Sequence, residues 1–171
     1  MGEGLKTLVP RVAGKTAVTK PGLNSRGELW NEERFFQSLD KRCDVWDVEV
    51  ARRIYEWAKD KTDLIAWGRG RYDGSFSPKL DHKGAYYWTI GVWTYGKVYI
   101  PFQYMQTVPP FDSDIKRREL LERLSQIPGI DIPEDGINRF PTFPLSILKD
   151  ETALKHFLDV LDWLVQDIRS V

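Results

Sequence analysis

Between Asp63 and Met105 this chain drops helical spacing for a pattern of short strands and turns, while on either side its apolar residues recur at helical intervals. A chain patterned in this way must cover a sheet with helices drawn from both ends of the sequence. Asn31 is a good N-cap, with Trp30 placed to staple onto Phe35, and the helix Glu32–Leu39 turns Phe35, Phe36 and Leu39 inward. A second helix, Asp47 to about Asp60, has Glu49 in its first turn and buries Val50, Ala51, Ile54, Trp57 and Ala58.

The strands are expected at Leu64–Trp67, Ser75–Leu80, Ala85–Tyr95 and Val98–Met105. Gly68-Arg69-Gly70 stops the first, and Pro78 in the second hints at an edge or a bulge. Asp81-His82-Lys83-Gly84 turns the chain into the third, and Tyr95-Gly96-Lys97 makes a hairpin into the fourth. Ser113 then caps a helix over Asp114–Ile127, with Ile115, Leu120, Leu121, Leu124 and Ile127 buried. Residues 128–148 are punctuated by prolines, and their Ile130, Ile132, Ile137, Phe140 and Phe143 predict an ordered strap on the core. Asp150 caps the last helix, whose Leu154, Phe157, Leu158, Leu161, Leu164, Val165 and Ile168 form an amphipathic stripe. The expected class is α+β: a four-stranded antiparallel meander with helices before and after it (ααββββαα), the helices packed on one sheet face.

Length suits a single domain over residues 28–171. Residues 1–27 lack periodicity and read as a basic tail or linker. No apolar run approaches the ~18 residues of a membrane span, and the start of the chain has no secretory core, so a cytoplasmic protein without a membrane partner is expected.

Strand alternation divides the sheet into two faces. The aliphatic-rich sets, Tyr86, Trp88, Ile90, Val92 and Thr94 with Val98, Ile100, Phe102 and Tyr104, are expected to meet the helices. The opposite face then holds Tyr87, Thr89, Trp93, Tyr95, Tyr99 and Gln103, unless the first helices or the strap cover it. Charge reinforces interest in this region. The formal net charge is zero, yet residues 1–27 carry net +4 and residues 69–111 net +3, against net −3 for 28–68 and net −4 for 112–171. A π-face beside cations suits single-stranded nucleic acid, and local basic charge suits an anionic partner. The candidate interface is therefore Tyr87, Trp93, Tyr95, Tyr99 and Gln103, with Arg69, Arg71, Lys79, Lys83 and Lys97 for phosphates. The loop Trp67–Ser75 has glycines that admit close backbone approach, but it lacks the spacing of a dinucleotide or Walker loop.

Few catalytic classes fit. The two histidines, His82 and His156, fall on separate elements, which argues against a Ser-His-Asp triad. The single cysteine, Cys43, can form neither an internal disulfide nor a cysteine-based zinc site, and it reads as structural. The strands carry no carboxylate cluster, although Glu32, Glu33, Asp112 and Asp114 would have a role if the fold converged them. The basic run Lys116-Arg117-Arg118 reads as a solvated face opposite its helix's buried stripe. Neither cofactor nor metal is expected. The residues favour a non-catalytic nucleic-acid-binding module. A protein-interaction or dimerisation module using the same aromatics, and a metal-dependent nuclease-like enzyme with carboxylates assembled across the fold, are the alternatives.

Two resemblances bear on this. The order ββββα, with aromatics and basic turns, is similar to the Whirly and PUR single-strand-binding folds over about a third of the chain, an analogy of fold. Separately, Trp67-Gly-Arg-Gly-x-x-x-Gly-Ser-Phe76, the Thr94-Tyr-Gly-Lys97 hairpin, Pro109-Pro-Phe111 and Arg117-Arg-Glu-Leu120 resemble an uncharacterised bacterial domain associated with RecB-like nucleases, over about residues 28–171. That resemblance implies a module whose nuclease centre lies in another domain.

Overall fold

The computed structural model describes residues 27–171; the anticipated basic tail falls, apart from Gly27, outside the described residues. Helix α1 (Glu32–Arg42) begins where Asn31 accepts a hydrogen bond from the Arg34 backbone N–H, and it buries Phe35, Phe36 and Leu39. Helix α2 (Val45–Lys61) starts two residues earlier than the apolar spacing alone indicates. Asp44, in extended conformation, is the cap, accepting from the N–H groups of Trp46 and Asp47. Its buried face carries the anticipated Val50, Ala51, Ile54, Trp57 and Ala58, together with Tyr55.

The fold is α+β with an antiparallel sheet and helices before and after the strands. The sheet has six strands among the described residues: β1 (Leu64–Trp67), β2 (Ser75–His82), β3 (Ala85–Trp88), β4 (Gly91–Trp93), β5 (Lys97–Tyr99) and β6 (Thr142–Pro144). Its order is β1-β2-β4-β5-β6, with β3 also on β2. Three features depart from the four-strand meander. The long third strand is two strands, β3 and β4. The fourth stops at Tyr99 and continues as a short helix, α3 (Phe102–Met105). The proline-rich strap contributes β6, which pairs Val98 with Phe143 and Tyr99 with Thr142.

The break between β3 and β4 is a β-bulge. On β2, Lys79 faces Trp88, but Phe76 faces Val92, so two residues of β2 are spanned by three of the facing chain. Pro78 is central to it. Its carbonyl accepts both the backbone N–H and the hydroxyl of Thr89, which is fully buried. An inserted residue reverses the face to which every later side chain points.

Helices α1, α2 and the last helix, α5 (Glu151–Arg169), cover one side of the sheet. Phe35 and Tyr55 meet Phe76 edge-on at 5.0 and 5.2 Å, and Phe157 meets Phe143 at 5.7 Å. Leu80, Tyr87, Val92 and Val98 complete that buried side. Trp57 ties α2 to α5 by donating its indole N–H to Asp162 at 2.8 Å.

Helix α4 (Asp114–Ser125) buries Leu120, Leu121 and Leu124 as expected, but corrects two expectations. Ile115 is 78% exposed, and Arg117, expected on the solvated side, is 5% exposed. The Arg117 guanidinium donates to the carbonyls of Phe111, Asp112 and Ile137 and to the Asp114 carboxylate, and so binds the strap to the helix. In the strap, Ile130, Ile132, Ile137 and Phe143 are buried, whereas Phe140 is 42% exposed.

Candidate nucleic-acid interface

Helices α1, α2 and α5 occupy one side of the sheet, and the other, the outer face, is a row of side chains fixed by strand register. Pairing across the sheet puts Ser75, Ser77, Lys79 and Asp81 of β2 on this face. Beside them lie Tyr86 and Trp88 of β3, Gly91 and Trp93 of β4, Lys97 and Tyr99 of β5, and Thr142 of β6. The strap extends the sheet edge and sets Phe140 beside Tyr99, ring centroids 6.2 Å apart.

The bulge decides which aromatics belong here. Tyr87 points to the helix side and is 5% exposed, opposite Leu80, and Thr89 is buried in the bulge. Both were expected on the outer face, because an unbroken strand would put them in phase with Trp93. Tyr86 and Trp88, expected against the helices, are on the outer face instead. Gln103 is not in a strand at all: it is exposed on α3, its backbone N–H bonded to the Arg139 carbonyl. The signals were present in the sequence. Pro78 on the facing strand and Gly91 inside the long strand both mark a bulge, and together they outweigh simple alternation.

Trp93, Tyr95 and Tyr99, all anticipated, do converge. Trp93 stacks on Tyr95 with centroids 5.5 Å apart and planes 16° apart, and sits 5.9 Å from Tyr99. Tyr99 lies directly on the backbone of Gly91, where any β-carbon would collide with its ring. Its hydroxyl is 2.7 Å from that of Ser77, which fixes the ring across three strands. Burial raises the Tyr99 pKa, against the opposing effect of the Ser77 hydrogen bond, so this phenol remains protonated at neutral pH. A second aromatic group stands farther along: Trp88 contacts Tyr104 of α3 at 5.1 Å, and the Tyr104 hydroxyl donates to the Tyr86 carbonyl. Lys79 lies 4.8 Å above the Trp88 ring, and partial burial lowers its pKa.

The basic residues are distributed around this row. Lys79 and Lys97 are on the face itself, and Lys83 (φ 52°) is exposed in the β2–β3 turn at one end. Arg69 and Arg71 are exposed in the β1–β2 loop at the other end, beside Tyr72 at 76% exposure. Most lysines and arginines among the described residues lie within 4.0 Å of a carboxylate. Among the described residues, Lys41, Arg69, Arg71, Lys79, Lys83, Lys97 and Lys149 have no such partner, and five of these seven belong to the candidate set. Asp81 is the carboxylate on the strand positions of the outer face.

The loop glycines have a structural duty that the sequence left open. Gly74 lies beneath the Trp30 ring with no room for a β-carbon, and the Trp30 indole N–H donates to the Gly70 carbonyl at 2.7 Å. Arg42 closes the same corner, pairing with Asp73 at 2.8 Å, donating to the Thr94 hydroxyl and lying 5.9 Å from the Tyr95 ring. The loop is thereby held by Trp30 and Arg42, while the side chains of Arg69 and Arg71 remain exposed.

The carboxylates named for a nuclease-like centre do not gather. Glu32 pairs with Arg52 and accepts from Tyr55, and Asp114 pairs with Arg117 and Arg118. Among the described residues, no group of three or more His, Cys, Asp or Glu side chains is placed to hold a metal ion. None of their helices is long and apolar enough to cross a membrane. Fold and face together define an α+β protein with helices on one side of an antiparallel sheet and a cation-flanked aromatic row on the other. No family model, curated protein or solved structure matches the chain.

Proposed function

We propose that this protein binds single-stranded nucleic acid along the outer face of its sheet, without catalysing a reaction there. The observation that carries the reading is the set of five cations without carboxylate partners among the described residues, around the Trp93–Tyr95–Tyr99 and Trp88–Tyr104 groups. Paired cations are already neutralised by the protein; unpaired ones leave a positive field that phosphates can answer. Bases supply flat apolar faces for Trp93, Tyr95 and Trp88, and stacking of this kind is tolerant of sequence. The corrected interface is Tyr86, Trp88, Trp93, Tyr95, Tyr99, Lys79 and Lys97, with Arg69, Arg71 and Lys83 at its ends.

The test is an anisotropy titration with a labelled oligothymidylate at several salt concentrations. Affinity is expected to fall as salt rises, and Lys97→Ala to reduce the log–log slope by about 0.7, the value for one phosphate contact on a single strand. Trp93→Ala is expected to weaken binding by ~1–3 kcal/mol. Binding that neither salt nor Trp93→Ala alters would overturn the reading. The same aromatics also suit a protein partner, a reading favoured by the 41–52% exposure of Tyr86, Tyr95 and Phe140. An apolar protein interface would survive salt that strips phosphate contacts.

A further inference from the structure

Resting on that reading, we infer that the outer face is a bipartite site, with two separate stacking platforms that one continuous single strand must bridge. Register separates the platforms. Trp93 stands opposite Ser75 and Trp88 opposite Lys79, four residues apart along β2, which is about 13 Å of strand. Each platform is a distinct aromatic contact: Trp93 on Tyr95, and Trp88 against Tyr104. Between them lies the Tyr99 ring rather than a third indole. Gly91 has no side chain, Ser77 is 6% exposed, and the Tyr99 ring lies on the Gly91 backbone with its hydroxyl held at Ser77.

The cations are spaced in the same way. Lys97 is directly across from Trp93, and the Lys79 ammonium covers one face of the Trp88 ring, so each platform has one lysine at hand, and a base stacking on that face of Trp88 displaces the Lys79 ammonium toward its phosphate. A nucleic-acid strand advances about 3.4 Å per nucleotide when stacked as in a duplex and more when extended. Spanning 13 Å therefore takes about two to four nucleotide steps. A dinucleotide occupies one platform; an octanucleotide reaches both, and the second contact becomes intramolecular. A duplex presents its bases edge-on inside the helix and cannot offer a π-face to either tryptophan, so the site selects single strands.

The experiment is a length series of oligothymidylates from the dinucleotide to the octanucleotide, titrated at low salt against the full chain. The comparison variants are Trp88→Ala and Trp93→Ala. Trp88→Leu is added because it keeps apolar bulk beside Lys79 and Tyr104 while removing the indole face. A rise in affinity is expected between about three and five nucleotides. Trp88→Ala and Trp88→Leu are expected to remove that rise, a loss of about 5- to 150-fold for the octanucleotide, while dinucleotide binding at Trp93 persists. A rise that survives in both Trp88 variants, or affinity that climbs smoothly with length and has no step, would overturn the two-platform arrangement while leaving nucleic-acid binding standing. No binding of any length at low salt overturns the functional reading and the bipartite site together.

Discussion

Arg117 and Asp47 show how far a side chain's role depends on neighbours that sequence spacing does not name. Arg117 satisfies three backbone carbonyls, those of Phe111 and Asp112 just before α4 and that of Ile137 in the strap. Replacing it by Leu leaves those buried acceptors unpaired, so Arg117→Leu is expected to destabilise the fold by about 2–4 kcal/mol in urea denaturation. The neighbouring Arg118, exposed and paired with Asp114 and Glu134, is expected to tolerate Ala with little change. Asp47 behaves in the opposite sense. Burial, and then the nearby Asp44 carboxylate, raise its pKa above the ordinary 3.8, and its Oδ1 is buried without a hydrogen-bond partner. A folded-state pKa above the unfolded one means that folding favours the protonated carboxyl. The contribution is fully present below about pH 3.8 and is lost as pH rises through the raised value. Asp47→Asn is therefore expected to stabilise the protein at pH 7 and to make no difference near pH 3, as urea midpoints at the two pH values will show.

At the scale of elements, the bulge between β3 and β4 governs the outer face. Helices with one apolar stripe were legible from their spacing, because a shift by one residue moves a helical side chain through only part of a turn. In a strand the same shift sends the side chain to the opposite side of the sheet. That is why α1, α2 and α5 followed the sequence reading closely, whereas Tyr86, Trp88 and Tyr87 exchanged sides. The short strand β6 was missed for a related reason: Thr142–Pro144 is too brief and too rich in proline to signal a strand alone, and only pairing with Lys97–Tyr99 defines it. Gly91 joins bulge to platform, because its missing side chain makes room for Tyr99. Gly91→Ala is expected to push the Tyr99 ring off the sheet and break its contact with Ser77. The cost should be about 1–3 kcal/mol of stability, with a changed tyrosine and tryptophan near-UV circular dichroism signal. Unchanged spectra and stability would mean that Tyr99 does not rest on Gly91 in solution.

For the whole molecule, sequence alone determined the class: helix-period segments flanking strand-period ones, caps at Asn31 and Asp150, and two stretches of excess positive charge, whereas Ser113, also expected to cap, precedes α4 without a side-chain capping hydrogen bond. Those features are local, set by a residue and its near neighbours along the chain, so they can be read without knowing the fold. Trp93, Tyr95, Tyr99 and the five cations were found in this way. What tertiary structure decided is which of the chain's aromatics share a surface and which basic residues keep their charge uncompensated. Both depend on pairing between residues far apart in sequence. Arg42 is neutralised by Asp73 across thirty-one positions, while Lys79 lies over the Trp88 ring and Lys97 stands across from Trp93, neither with a carboxylate partner among the described residues. Local pattern fixes what each segment can become; register and long-range packing fix what it faces, because one inserted residue in a strand reverses a face while leaving the sequence pattern almost unchanged.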